Sequence, residues 1–147
     1  MMRCRPAIVI VENNHVLLMK YCYGNREIFN FPGGNAEGEE LFVDTLEREC
    51  QEELGIGVEI GKMICMGQMS GNPHRKQALH VLFEGKIISG IPILQPQETT
   101  ANEIVWLPVS QLHTVTLYPN IGEVIQDYLI TGKTGIYLGE IKQEWVE

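Results

Sequence analysis

Glu49, Glu52 and Glu53 place three carboxylates within one helical turn, immediately ahead of Leu54-Gly55. At about 100° per residue they share one face of a helix, while Val43, Leu46, Cys50 and Leu54 share the other. One side is core and the other is concentrated negative charge. That charge works against the helix carrying it. Like charges three or four apart each cost roughly 0.2–0.5 kcal/mol, and acids in a last turn oppose the macrodipole at about 0.3–1 kcal/mol each. A cation relieves both costs. Hard divalent cations such as Mg2+, with Mn2+ as a substitute, suit such a place, because they take oxygen ligands and are shared between carboxylates and substrate phosphates. A solvated acidic face is the other reading these residues allow.

The segment ahead of the helix bears on that choice. In Phe31-Pro32-Gly33-Gly34 the proline holds Phe31 extended, and the glycines permit a turn that a phosphate or a metal can approach closely at Gly34. Gly34, Glu40, Arg48, Glu49, Glu52, Glu53, Gly55 and Ile56 fit the pattern G-x5-E-x7-R-E-U-x-E-E-x-G-U, with U a bulky aliphatic residue. This resembles the signature of the Nudix, or MutT-like, hydrolase family. Cys50 stands where an aliphatic residue is usual, and a buried thiol behaves as a small hydrophobe. Gly38-Glu39 also departs from the usual pair just before Glu40.

The resemblance implies a Nudix fold, an α/β/α sandwich built on a mixed sheet. It implies a Mg2+-dependent pyrophosphohydrolase that cleaves a phosphoanhydride of a nucleoside diphosphate linked to another moiety. A nucleoside triphosphate or related nucleotide is favoured, with ADP-ribose or a nucleotide sugar as further options; the alternative is a silent nucleotide-sensing or protein-binding module. Arg48, Glu49, Glu52 and Glu53 form the implied catalytic set. Glu49, Glu52 and Glu53 are the implied metal ligands, Gly33 adds a backbone carbonyl, and Glu40 is an outer ligand or a support for the loop. Arg48 orients a glutamate through charge-assisted hydrogen bonds. A further acid from outside the motif is expected to join the metal ligands, with Glu98 the first candidate and Glu103 the second.

Composition places limits on the rest. The chain has 147 residues, 44% hydrophobic and 20% charged, which fits one compact globular domain over 1–147. No apolar run approaches a membrane span and the start lacks a secretory pattern, so a cytoplasmic protein is expected. Cys4, Cys22, Cys50 and Cys65 lack the spacing of a zinc site or disulfide frame and read as reduced thiols. A net charge of −8 argues against binding long nucleic acid but not against a small phosphorylated nucleotide. His74-Arg75-Lys76, in a loop flanked by Gly, Asn and Pro, is the densest cationic patch, with Arg75 and Lys76 either meeting substrate phosphates or serving solubility. Tyr21, Tyr23, Phe29 and Phe31 surround the glycine turn, either stacking on a base or filling the core.

The elements that must position these groups follow from periodicity. Residues 7–11 and 16–21 read as a hairpin around Asn13-Asn14, residues 22–27 as a loop, and 28–31 as a short strand. The acidic helix spans 41–54 and is stopped by Gly55. Residues 58–69 and 78–88 are two longer strands around the basic loop, and 90–102 is the least ordered stretch. Residues 103–107 return to strand. Pro119 opens a second helix with Ile121, Val124, Ile125, Tyr128 and Leu129 on one face. Within the tail 135–147, Ile136-Tyr137-Leu138 forms an edge strand or meets a second subunit of a homodimer.

Overall fold

The computed structural model describes residues 2–143. Alternating apolar residues form strands β1 (Arg3–Glu12) and β2 (His15–Tyr23), joined at Asn13-Asn14, where both residues take positive φ (50° and 60°). Two successive left-handed residues match the twist of a tight hairpin, and asparagine tolerates them best after glycine. Strand β3 (Arg26–Asn30) pairs antiparallel with β2 from Tyr23↔Arg26 onward. The expected loop at 22–27 therefore shrinks to Gly24-Asn25, because Gly24 at φ 63° closes the turn in two residues.

Helix α1 (Phe42–Leu54) leads into the long hairpin of β4 (Gly57–Met69) and β5 (Ala78–Ser89). Strand β5 runs parallel to β1, with Arg5 opposite His80, and β6 (Glu103–Pro108) returns antiparallel to β2. A 3₁₀ helix (Val109–Thr114) and a two-residue strand, β7 (Leu117–Tyr118), precede α2 (Gly122–Thr131). Strand β8 (Ile136–Glu140) pairs parallel with β4 through Cys65↔Ile136, so Ile136-Tyr137-Leu138 is an edge strand of this sheet. The mixed eight-stranded sheet runs β7-β3-β2-β1-β5-β4-β8, with β6 on the other side of β2.

Each face has its own core. On one, Leu46, Cys50 and Leu54 of α1 pack on Ile8, Ile10, Leu17 and Met19. On the other, Ile121 and Ile125 bring α2 against Val9, Leu18, Phe31 and Leu82. These helices on opposite faces make the α/β/α sandwich that the element order implies. Val43, grouped with the core by its helical phase, lies in the first turn and is 40% exposed. Thr45 is fully buried instead, because its hydroxyl hydrogen-bonds Glu40 Oε1 (2.9 Å) and the Leu41 carbonyl (3.2 Å).

The segment 90–102 differs most from expectation. The last carbonyls of a helix have no intrahelical donor. Here Ile93 N–H donates to the Leu54 carbonyl (3.0 Å), Gln95 N–H to that of Glu53 (2.9 Å), and Asn102 N–H to that of Lys20 (2.7 Å). The stretch is a strap fastened across the end of α1, a long-range pairing that local composition does not encode.

Candidate active site

The acidic turn is set by its two ends. No side chain caps the α1 N-terminus at Leu41, whereas at the other end Gly55 takes φ 66° and donates its N–H to the Gln51 carbonyl (3.1 Å), and Ile56 N–H donates to that of Cys50 (3.4 Å). A left-handed residue there closes the helix without a Cβ penalty. Glu49, Glu52 and Glu53 thus project from a last turn held by Gly55 and the strap.

Arg48 organises the surrounding acids. Its Nε donates to Glu40 Oε2 (2.7 Å) and its Nη2 to Glu40 Oε1 (3.0 Å), a two-pronged grip. Its Nη1 reaches Glu49 Oε1 (3.1 Å) and Glu52 Oε2 (3.2 Å), and its Nη2 also contacts the Asn35 carbonyl (3.4 Å). Arg48 first, then the Glu37 N–H and the Thr45 hydroxyl, pull the Glu40 carboxyl down to about 2. Both Glu40 oxygens are engaged within the protein, which makes Glu40 a brace between the loop and the helix. The Glu52 side chain is the most open of the three, 43% exposed against 14% for Glu49.

Glu49 and Glu53 face each other one turn apart. Burial, followed by a hydrogen bond to Glu49 and the nearby Glu49 charge, pushes the Glu53 carboxyl well above its ordinary 4.5. Two acids sharing a proton in this way stand where a cation would be favoured. The glycine turn is shaped to them. A Cβ on Gly34 would come within 2.6 Å of the Glu49 carboxyl carbon, and one on Gly33 would collide with the Pro6 carbonyl oxygen. Among the described residues no three acidic, His or Cys side chains converge as a ready-made cage. Magnesium binds through one or two carboxylates and keeps several waters, so the Glu49–Glu53 pair, beside the open cavity that Glu53 lines, fits it.

The strap supplies the far wall. Glu98 lines an open cavity of about 400 Å³ together with Tyr21, Glu53, Gln97 and Thr99. Glu103 is held elsewhere, 2.7 Å from Lys20 Nζ, which also pairs with Glu27 at 2.9 Å. Of the two external acids, Glu98 is thus the one brought to Glu53. Tyr23, 54% exposed, lies parallel to Tyr21 with ring centroids 6.4 Å apart. Phe31 is buried and Phe29 packs against the α2-side core, so these rings take the core role and only the tyrosines are open for stacking. Arg75 and Lys76 line a separate cavity with Arg3, Arg5 and Tyr118. Alternation along β1 was the available signal for Arg3 and Arg5, since both share a face with Ala7 and Val9. The buried Cys50 is no candidate nucleophile, because burial first and then the Glu53 and Glu49 charges push its thiol up to about 12.

A mixed sheet between two helices, with a glycine turn feeding an acid-rich helix, defines a Nudix-type domain. The NUDIX domain profile matches residues 2–128, and the chain belongs to that family. A Nudix hydrolase from Nitrosomonas europaea superposes with a TM-score of 0.72 at 20% identity, covering 91% of this chain and 92% of that one. A MutT protein from Methanosarcina mazei gives 0.71 at 18% identity, covering 90% and 96%. An ADP-ribose pyrophosphatase from Streptococcus suis gives 0.67 at 17% identity, covering 97% and 100%. Likeness at these identities establishes the fold. No functionally curated protein matches the chain. No helix of the described residues is long and apolar enough to cross a membrane.

Proposed function

We propose that this protein is a Mg2+-dependent pyrophosphohydrolase acting on small nucleotides in the cytoplasm. The observation carrying this reading is the Arg48 network. One guanidinium bonds Glu40, Glu49, Glu52 and the Asn35 carbonyl, and so ties the acidic turn to the loop that follows the glycines.

In this reading Glu49 and Glu53 would hold the cation, Glu52 would add a carboxylate from the open side, and the Gly33 carbonyl would complete the protein's share. When bound, the metal neutralises anhydride oxygens and makes a coordinated water more acidic. Arg48 fixes the carboxylate orientations, and Glu40 braces Arg48 so that little reorganisation is needed during reaction. Glu98 stands across the cavity from the acidic turn as a further acid, available to accept a proton from the attacking water. The absent Cβ at Gly34 lets the Glu49 carboxyl lie against the glycine turn, beside which the substrate's phosphates would bind. Tyr21 and Tyr23 offer a surface for a planar base.

The test is phosphate or nucleoside monophosphate release from a panel of nucleoside triphosphates, ADP-ribose, dinucleoside polyphosphates and nucleotide sugars, with and without Mg2+. Metal-dependent turnover of at least one member is the expected result. A nucleotide bound tightly in Mg2+ yet left intact would instead make the protein a silent sensing module of the same fold.

A further inference from the structure

The strap is pinned at two places, and a side chain between them reaches both anchors. Gln95 N–H donates to the Glu53 carbonyl (2.9 Å), which ties the strap to the last turn of α1. Farther along, Asn102 grips β2 twice. Its N–H donates to the Lys20 carbonyl (2.7 Å), and its Oδ1 accepts from Cys22 N–H (2.9 Å), so the two contacts bracket Tyr21. Thr99 lies between the pinned points and lines the cavity of about 400 Å³ together with Glu53 and Tyr21.

The Thr99 hydroxyl hydrogen-bonds the Glu53 carboxyl from α1 and the Tyr21 hydroxyl from β2. A third partner sets the direction of these bonds. Ala101 N–H donates to Thr99 Oγ1 (3.2 Å) and takes one of its lone pairs. A threonine hydroxyl has one proton to give and two lone pairs to receive with, and a carboxylate only accepts. The single proton of Thr99 therefore goes to Glu53, and its second lone pair receives the Tyr21 O–H. The chain of donation runs from Tyr21 through Thr99 to Glu53.

This chain complements the guanidinium network. Arg48 bonds Glu40, Glu49 and Glu52, and so orients those motif glutamates from the side of the glycine loop. Glu53 is oriented from the opposite side, by a neutral donor on the strap. Glu98 directly precedes Thr99 and lines the same cavity, so the anchor that reaches Glu53 also seats that acid.

We propose that Thr99 is a positioning residue that orients the Glu53 carboxylate for the cation and links it to Tyr21, the ring offered to the substrate's base. This rests on the reading of Glu53 as a metal ligand and extends the working site from the helix to the strap. Groups that hydrogen-bond a metal ligand from behind fix its orientation, and their loss weakens metal affinity or activity by about tenfold to a hundredfold.

Mn2+ binding to the full chain without substrate, followed by the loss of the free-ion electron paramagnetic resonance signal, is the test. Thr99→Val keeps the branched shape and removes the hydroxyl, whereas Thr99→Ser keeps the hydroxyl and removes the methyl. The Mn2+ dissociation constant is expected to rise about tenfold or more in Thr99→Val and to stay within about threefold of the unmodified protein in Thr99→Ser. On a nucleotide that the protein cleaves, kcat of Thr99→Val is expected to fall by a similar factor with KM little changed. Tyr21→Phe keeps the ring, loses the donor and is expected to show a smaller loss in the same direction. Unchanged Mn2+ affinity in Thr99→Val overturns the proposal. Equal impairment of Thr99→Ser and Thr99→Val also overturns it, because the methyl and not the hydroxyl would then matter. An unmodified protein that binds no Mn2+ overturns it as well, whatever the nucleotide panel reports. Mn2+ affinity that follows the hydroxyl, with no nucleotide cleaved, supports the role of Thr99 and removes the hydrolase reading alone.

Discussion

The acidic turn of α1 and the cationic cavity at the start of β1 are both concentrations of like charge, built by opposite means. Glu49, Glu52 and Glu53 are neighbours in the chain, and helical geometry alone puts them on one face. Arg3, Arg5, Arg75 and Lys76 come together only because β5 lies parallel to β1 and carries its preceding loop with it. Like charge costs both clusters something, and each limits that cost through neighbours. Arg48 sits among the acids, and the Tyr118 ring lies beside Arg5. Local clustering leaves a motif that can be read along the chain, and tertiary clustering leaves almost none.

The largest effect is expected on the acidic side. Glu53→Gln keeps the shape and removes the charge facing Glu49, so turnover is expected to fall by roughly 10²–10³. Without metal the same protein is expected to melt at an equal or higher temperature. The wild-type Glu53 carboxyl has a raised value, so the folded state holds a proton the unfolded chain releases, and stability falls as pH climbs above about 4.5. A variant that is less stable yet almost fully active per folded molecule would make Glu53 a structural residue and dissolve the contrast.

On the cationic side the corresponding probe is pH. His80 is 2% exposed, its Nε2 has no hydrogen-bond partner among the described residues, and its value lies near 4 against 6.5 when free. Below pH 6.5 the unfolded chain takes up a proton the folded chain refuses, so this contribution to stability is present above 6.5 and is lost as pH falls toward 4. At about 1.4 kcal/mol per unit the loss amounts to about 3 kcal/mol. Urea unfolding between pH 7 and 4 measures it, and His80→Gln is expected to flatten that window. An unchanged slope in the variant would show that His80 titrates normally despite Arg5.

The smallest effect concerns the junction. Arg48→Lys keeps the positive charge but loses the two-pronged grip on Glu40, and kcat is expected to fall about tenfold with little change in KM. Steady-state kinetics check this. A rise in KM with kcat intact would place Arg48 in substrate binding and remove it from positioning.

How legible each part was follows from the same distinction. The helix of 41–54, its Gly55 stop and the glycine turn are short-range patterns, and the structure places them within a residue of expectation. Glu98 shares an open cavity with Glu53 because the strap carries it there, while Lys20 holds Glu103 elsewhere, and neither placement can be read from the chain alone. Phe29 of β3 and Phe31 just beyond it both pack into the α2-side core, a choice alternation cannot make until the sheet is closed. Asn35, His80 and Tyr118 carried no local signature, since each acquires its meaning from a partner many residues away.

The strap also orders events in time. The bond from Gln95 N–H to the Glu53 carbonyl closes a loop of about forty residues. A chain growing from its N-terminus therefore exposes the complete acidic motif well before the segment that finishes it has been made. Until that segment arrives, the Glu53 and Leu54 carbonyls at the end of α1 have only water to satisfy them. Translation delivers the charges first and their final geometry later.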